Sequence, residues 1–135
     1  MSPNQILSTK KIRITDARIA VFKALKNAQK PLDIVSIIKH LKRRDIHADR
    51  TTVFRIMNLF VEKELVHRLE FAEGKFRYEI ANLAHHFHVV CTNCGEICDL
   101  EDCDVEEVEQ KAAKKLSYVI TSHRLDFFGL CPTCQ

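Results

Sequence analysis

The sequence predicts an α+β chain in which three amphipathic helices and a β-hairpin precede a smaller α/β segment. Three observations predict it. Apolar residues recur at helical spacing from residue 16 to 60 and alternate at strand spacing from 65 to 80. Charge divides the chain: residues 1–81 hold 17 Lys/Arg against 9 Asp/Glu, and residues 82–135 hold 4 against 9. Two C-x2-C pairs, Cys91/Cys94 and Cys131/Cys134, lie only in the second part, with 36 residues between them. A chain of 135 residues makes one or two small domains.

Thr15 can cap a first helix beginning at Asp16, whose carboxylate suits the positive helix end. Ile19, Phe22 and Leu25 mark its buried face. Pro31-Leu32-Asp33 starts a second helix, with Ile34, Ile37, Ile38 and Leu41 on one stripe and His40 to Arg44 near its negative end. Asp49 caps a third. Its apolar face is Val53, Ile56, Met57 and Phe60. About 200° away around the helix, Thr51, Phe54, Arg55 and Asn58 form a second face. A solvated face normally carries no Phe. Arg can bond guanine edges or phosphate, Asn can bond adenine, and a ring can touch a thymine methyl group. The plain alternative is that Phe54 packs on a neighbouring helix.

Leu65 to Phe71 and Lys75 to Ile80 alternate as strands around the turn Ala72-Glu73-Gly74. Three helices and a hairpin make a winged helix-turn-helix, whose third helix enters the major groove while basic residues hold phosphates. Lys10, Lys11, Arg13 and Arg18 stand ready at the N-terminal edge, and Arg50 opens the third helix. A basic half fits a polyanion and an acidic half collects cations, unless the division is ordinary surface charge.

The second part opens on His85-His86-Phe87-His88, directly before Cys91. The N-terminus has no signal pattern and no apolar run nears the roughly 18–20 residues that span a bilayer, so a cytoplasmic protein with no membrane partner is expected. In a reducing compartment the C-x2-C spacing favours metal over disulfides, and four thiolates close a tetrahedral zinc. In an extended segment His86 and His88 share one face and His85 takes the other. Asn82-Leu83-Ala84 is the expected hinge, and residues 96–100 an expected strand with Cys98 facing away from Asp99 as a buried thiol. Asp104 should cap a helix striped by Val105, Val108, Ala112 and Leu116, and a strand from Tyr118 to Phe128 should carry His123 at its middle. A β-α-β unit this small cannot cover its own sheet, so pairing with a second copy through Val119, Leu125, Phe127 or Phe128 is expected. The predicted fold is therefore an N-terminal winged helix-turn-helix over 1–81, a hinge at 82–84, and a small α/β metal-binding dimerisation domain with a four-Cys zinc site over 85–135.

The segment Thr51-Thr52-Val53-Phe54-Arg55, the block His85-His86-x-His88-x2-Cys91-x2-Cys94-Gly95, and His123 eight residues before Cys131-x2-Cys134 together resemble the ferric uptake regulator family over nearly the whole length. The resemblance implies a dimeric, metal-dependent repressor that binds double-stranded operator DNA. It implies structural Zn2+ on Cys91, Cys94, Cys131 and Cys134, and a regulatory divalent metal (Fe2+, Zn2+ or Mn2+) on Glu79, His86, His88 and Asp99. It also implies a further site on His85, Glu106 and His123. Three positions depart from the pattern. Lys30-Pro31 stands where a DNA-domain histidine ligand is expected, which His67 could replace or not. Phe87 stands for the usual Asp of the further site, leaving it either completed by water or lost. Phe54 stands for the usual Tyr.

The implied mechanism is that metal at the hinge favours the dimer arrangement that fits DNA. An iron-loaded peroxide sensor of the same family is the nearer alternative, and a metal storage or delivery protein without DNA function the more distant one. An enzyme is not expected, since the chain shows no nucleophile elbow or phosphate loop and has only three glycines.

Overall fold

In the computed structural model, which describes residues 1–28, 30–81, 86–101 and 104–135, helices start where a short polar side chain takes up an otherwise orphaned backbone N–H. The chain forms two units, Met1–Leu83 and Ala84–Gln135. In the first unit, the Thr15 hydroxyl accepts from Arg18 N at 3.2 Å and opens α2, Asp16–Asn27. Asp33 accepts from Ser36 N at 2.8 Å and opens α3, Ile34–Arg43. Asp49 does the same for Thr52 N at 2.8 Å and opens α4, Arg50–Glu62. One helix was not expected. Helix α1, Pro3–Thr9, is set by a capping box in which Ser2 and Gln5 exchange hydrogen bonds, with Pro3 in its first turn. Its Leu7 is fully buried.

Val53, Ile56, Met57 and Phe60 of α4 are all buried, against Ile37 and Leu41 of α3 and Phe22 and Leu25 of α2 in one core cluster. Ile19, expected beside Phe22, is only partly buried at its edge. Strands β1, Val66–Glu70, and β2, Phe76–Ile80, pair antiparallel from Val66↔Ile80 to Glu70↔Phe76. Leu32 and Tyr78 exchange both backbone hydrogen bonds, at 3.0 and 2.8 Å, tying the hairpin to the start of α3. Ala72 and Gly74 both hold positive φ in the turn. There Arg77, itself buried, donates to Glu73 through two nitrogens at 2.9 and 2.7 Å, a forked pair that rigidifies the hairpin tip.

The second unit is a three-stranded sheet in the order β4-β3-β5 with one helix. Central β3, Phe87–Cys91, runs antiparallel to β4, Ile97–Leu100, and parallel to β5, Asp126–Gly129. Helix α5, Glu106–Leu116, makes the crossover. Its core is thin: Phe87, Val90, Cys91 and Ile97 are buried, but no residue of α5 is. Val108, Leu116, Tyr118, Val119, Phe127 and Phe128 are all exposed within the single chain.

Three expectations are corrected here. The last strand covers Asp126–Gly129 rather than Tyr118 to Phe128, so His123 precedes it. A strand persists only as far as a neighbour pairs its backbone, and β3 offers five residues. Val105, not Asp104, holds the cap position of α5, although the Asp104 carboxylate still accepts from Glu106 N at 2.9 Å. Cys98 is exposed, because the sheet face it occupies has no layer over it in the single chain. The expected hinge 82–84, His85 and Cys103 lie outside the described residues. Among the described residues, no helix is long and apolar enough to cross a membrane.

Candidate metal centres and nucleic-acid face

Cys91 ends β3, and the turn after it brings Cys94 back beside it. Gly95 N donates to Cys91 O at 3.0 Å, Cys91 N to Glu96 O at 2.8 Å, and Gly95 takes φ +79°. A matching turn joins Cys131 to Cys134 through Cys134 N and Cys131 O at 3.0 Å. The two turns face each other because Thr92 N donates to Gly129 O at 2.8 Å at the end of β5. All four Sγ atoms then lie within 4.8 Å of one another. The Cys94 and Cys131 sulfurs are 3.8 Å apart. Zinc–sulfur bonds of about 2.3 Å in a tetrahedron put sulfurs about 3.8 Å apart, so the quartet has the size of a zinc shell.

The protonation chemistry points the same way. Backbone N–H groups, those of Cys94 and Cys131 foremost, hold the Cys91 thiol down at about 6. At Cys94 the Glu96 N–H favours the thiolate, but the crowding of Cys91, Cys131 and Cys134 pushes it up to about 12. Neighbouring thiols cannot all ionise together without a cation among them. A divalent ion resolves that repulsion.

A second cluster surrounds His88. The His86 and His88 rings meet edge to face, centroids 4.8 Å apart, as expected for side chains two residues apart at a strand edge. His88 is 6% exposed. Its Nε2 lies 3.7 Å from Asp99 Oδ1, and its Nδ1 lies 3.5 Å from Asp126 Oδ1. Imidazole and carboxylate donors of this kind suit iron, manganese or zinc. Asp126 belongs to none of the sets read from the sequence. The signal was present: a lone acid among Leu125, Phe127 and Phe128 in an apolar strand requires a partner. Glu79 lies in the first unit, on β2 opposite His67 of β1.

The residues of the third set are dispersed differently. His123 Nδ1 is hydrogen-bonded to Glu109, and its ring lies 5.7 Å from that of Phe87. Glu106 stands one turn earlier on α5, exposed.

On α4 the second face is outward as expected. Arg50, Thr51, Phe54, Arg55 and Asn58 are all exposed, while the opposite face is core. Phe54 is 41% exposed and borders a cleft with Val35 and Phe76, so it is neither core nor fully solvated. Arg13 is exposed ahead of α2, and Arg18 Nη1 donates to Arg13 O at 2.9 Å, which fixes the basic N-terminal edge.

Residues 9–128 match the profile of the ferric uptake regulator family. The chain is 27% identical to the ferric uptake regulation protein of Bordetella parapertussis, over all of this chain and 98% of that one. It is 31% identical to the peroxide operon regulator of Bacillus subtilis, over 92% of this chain and 85% of that one. Among solved structures, the ferric uptake regulator of Vibrio cholerae superposes with a TM-score of 0.84 at 28% identity, covering 95% and 98% of the two chains. Fold, cysteine quartet and whole-length similarity agree, and the chain belongs to the ferric uptake regulator family of metal-responsive transcriptional regulators.

Proposed function

We propose that this chain is a homodimeric, cytoplasmic repressor. Metal binding between its winged helix, residues 1–81, and its dimerisation domain, residues 85–135, would favour binding to operator DNA. Cys91, Cys94, Cys131 and Cys134 hold structural zinc. Glu79, His86, His88 and Asp99 hold the regulatory ion. Arg13, Arg18, Arg50, Thr51, Phe54, Arg55 and Asn58 meet DNA. The observation that carries the reading is one chain with two unlike donor sets. The sulfur quartet closes its own shell, whereas the His86/His88 group offers nitrogen and oxygen ligands that exchange.

When bound, a divalent ion supplies a positive centre that donors from both domains can share. Glu79 belongs to the second strand of the wing, and His86, His88 and Asp99 belong to the other domain, so closing this shell would restrict the angle between the domains. Through the dimer, that angle sets the separation of two α4 helices, which DNA requires near one helical turn, about 34 Å, or a multiple. The exposed apolar residues of α5 and β5 supply a surface for the second copy. For the Vibrio cholerae relative, rearrangement of the DNA-binding domains has been described, which supports a movable winged helix here.

The test is the double variant His86→Ala/His88→Ala. It should keep one zinc per chain and the dimer while losing metal-stimulated operator binding. Metal-dependent binding that survives unchanged refutes the site.

A peroxide sensor is the second reading, favoured by a regulatory set without sulfur and by the Bacillus subtilis relative. Exposure of the iron-loaded protein to peroxide would then add the mass of one oxygen atom to His86 or His88. A storage or delivery protein is the third, and a measurement of salt-sensitive DNA binding would exclude it.

A further inference from the structure

His88 sits at the centre of the second unit's sheet with a strand on either side. The antiparallel register sets it opposite Asp99 of β4, and the parallel register opposite Asp126 of β5. Each flanking strand therefore delivers a carboxylate at the same level, Asp99 toward Nε2 and Asp126 toward Nδ1. The imidazole between them is almost fully buried.

A neutral imidazole has one N–H and one lone pair. The nitrogen that ligates must be bare, so the other must carry the proton, and a buried N–H needs an acceptor. Resting on the regulatory-site reading above, we propose that Asp126 is a positioning residue for that site. It accepts the Nδ1 proton of His88 and leaves the Nε2 lone pair directed to the Asp99 side, where the ion is held. At 3.5 Å the carboxylate is short of a formed hydrogen bond, and movement of less than one ångström closes it. Asp126 is only one-fifth exposed as a side chain, so little water competes for it. The arrangement also fits the departure at Lys30-Pro31. A shell with no ligand from there gains from a histidine whose orientation and basicity are fixed inside its own domain.

The experiment uses the full-length, zinc-loaded protein and Mn2+ as probe. Asp126→Ala should weaken Mn2+ binding about 10- to 100-fold, read by the electron-spin-resonance signal of free Mn2+. Asp126→Asn, which keeps an acceptor oxygen without charge, should fall between Asp126→Ala and the parent chain. Zinc should stay at one per chain in both. Long-range nitrogen NMR of the metal-free protein should show the His88 proton on Nδ1 in the parent and its redistribution to Nε2 in Asp126→Ala. A parent His88 protonated on Nε2, or Mn2+ affinity unchanged in both variants, overturns the proposal. The double variant His86→Ala/His88→Ala separates the two failures. If it loses Mn2+ while the Asp126 variants do not, the regulatory site stands and the role of Asp126 falls. If it too binds Mn2+ normally, the site reading itself falls.

Discussion

Helix α4 places Arg55 and Met57 two residues apart on different faces, so alanine at each should damage different properties. Met57 is fully buried and Arg55 is exposed. Truncating a buried Met costs about 2–5 kcal/mol, because lost transfer energy and an unfilled cavity add. For a unit of this size each kcal/mol lowers Tm by about 4–8 °C, so Met57→Ala should lose roughly 10 °C or more. Arg55→Ala removes a solvated side chain, and stability should hold within about 0.5 kcal/mol. A base-edge contact from Arg is worth about 1–3 kcal/mol, so Arg55→Ala should weaken operator binding about 5- to 150-fold. Circular dichroism melting with zinc retained gives the first quantity. Fluorescence anisotropy with operator DNA at fixed salt gives the second. Equal melting losses in the two variants would refute the assignment of faces, and unchanged DNA affinity in Arg55→Ala would refute the reading surface.

Asp33 caps α3 and accepts from Lys75 Nζ at 2.7 Å. Burial works against its charge, but Lys75 and the Ser36 N–H outweigh it and hold the carboxyl at about 2. Its folded value is depressed, so its stabilisation is complete above the ordinary 3.8 and is lost as pH falls toward 2. Acid titration of Tm should be shallower over that window in Asp33→Asn, and Asp33→Ala should cost about 1 kcal/mol at neutral pH. Zinc loading of the metal-free protein should release protons from the cysteines, Cys94 above all, measurable in weakly buffered solution by calorimetry in buffers of different ionisation enthalpy. No proton release would exclude thiolate ligation. Tyr78 is fully buried and its hydroxyl has no hydrogen-bond partner among the described residues. Tyr78→Phe should therefore melt at or slightly above the parent temperature, and a loss above about 1 kcal/mol would reveal a partner.

Local physics was legible in the sequence, and cross-strand physics was not. Both faces of α4 follow from the spacing of Val53, Ile56, Met57 and Phe60, Thr15 and Asp49 each cap where expected, and α3 starts at Pro31-Leu32-Asp33 as expected, with Asp33 as its cap. The missed α1 had its own signal in Ser2, Pro3 and Gln5, hidden because few apolar residues follow. Other misses depended on partners. The length of β5 is limited by β3, and exposure of Cys98 depends on what covers the sheet. His123 meets Glu109 rather than Glu106 through the rotation of α5, and Asp126 meets His88 through a parallel register that no local pattern encodes.

Strand β3 carries His88 and Cys91 only three residues apart, roughly 10 Å along an extended chain. The cysteine quartet fastens the far ends of β3 and β5 to each other, with Thr92 N to Gly129 O as the last rung. Sliding β5 by one residue would carry Asp126 to the opposite face of the sheet. An ion bound by those sulfurs would thus act as an alignment pin for the neighbouring nitrogen and oxygen donors. Assembly would then have an order: the ion of the cysteine quartet would be seated first, and only then would the exchangeable one find its ligands in register.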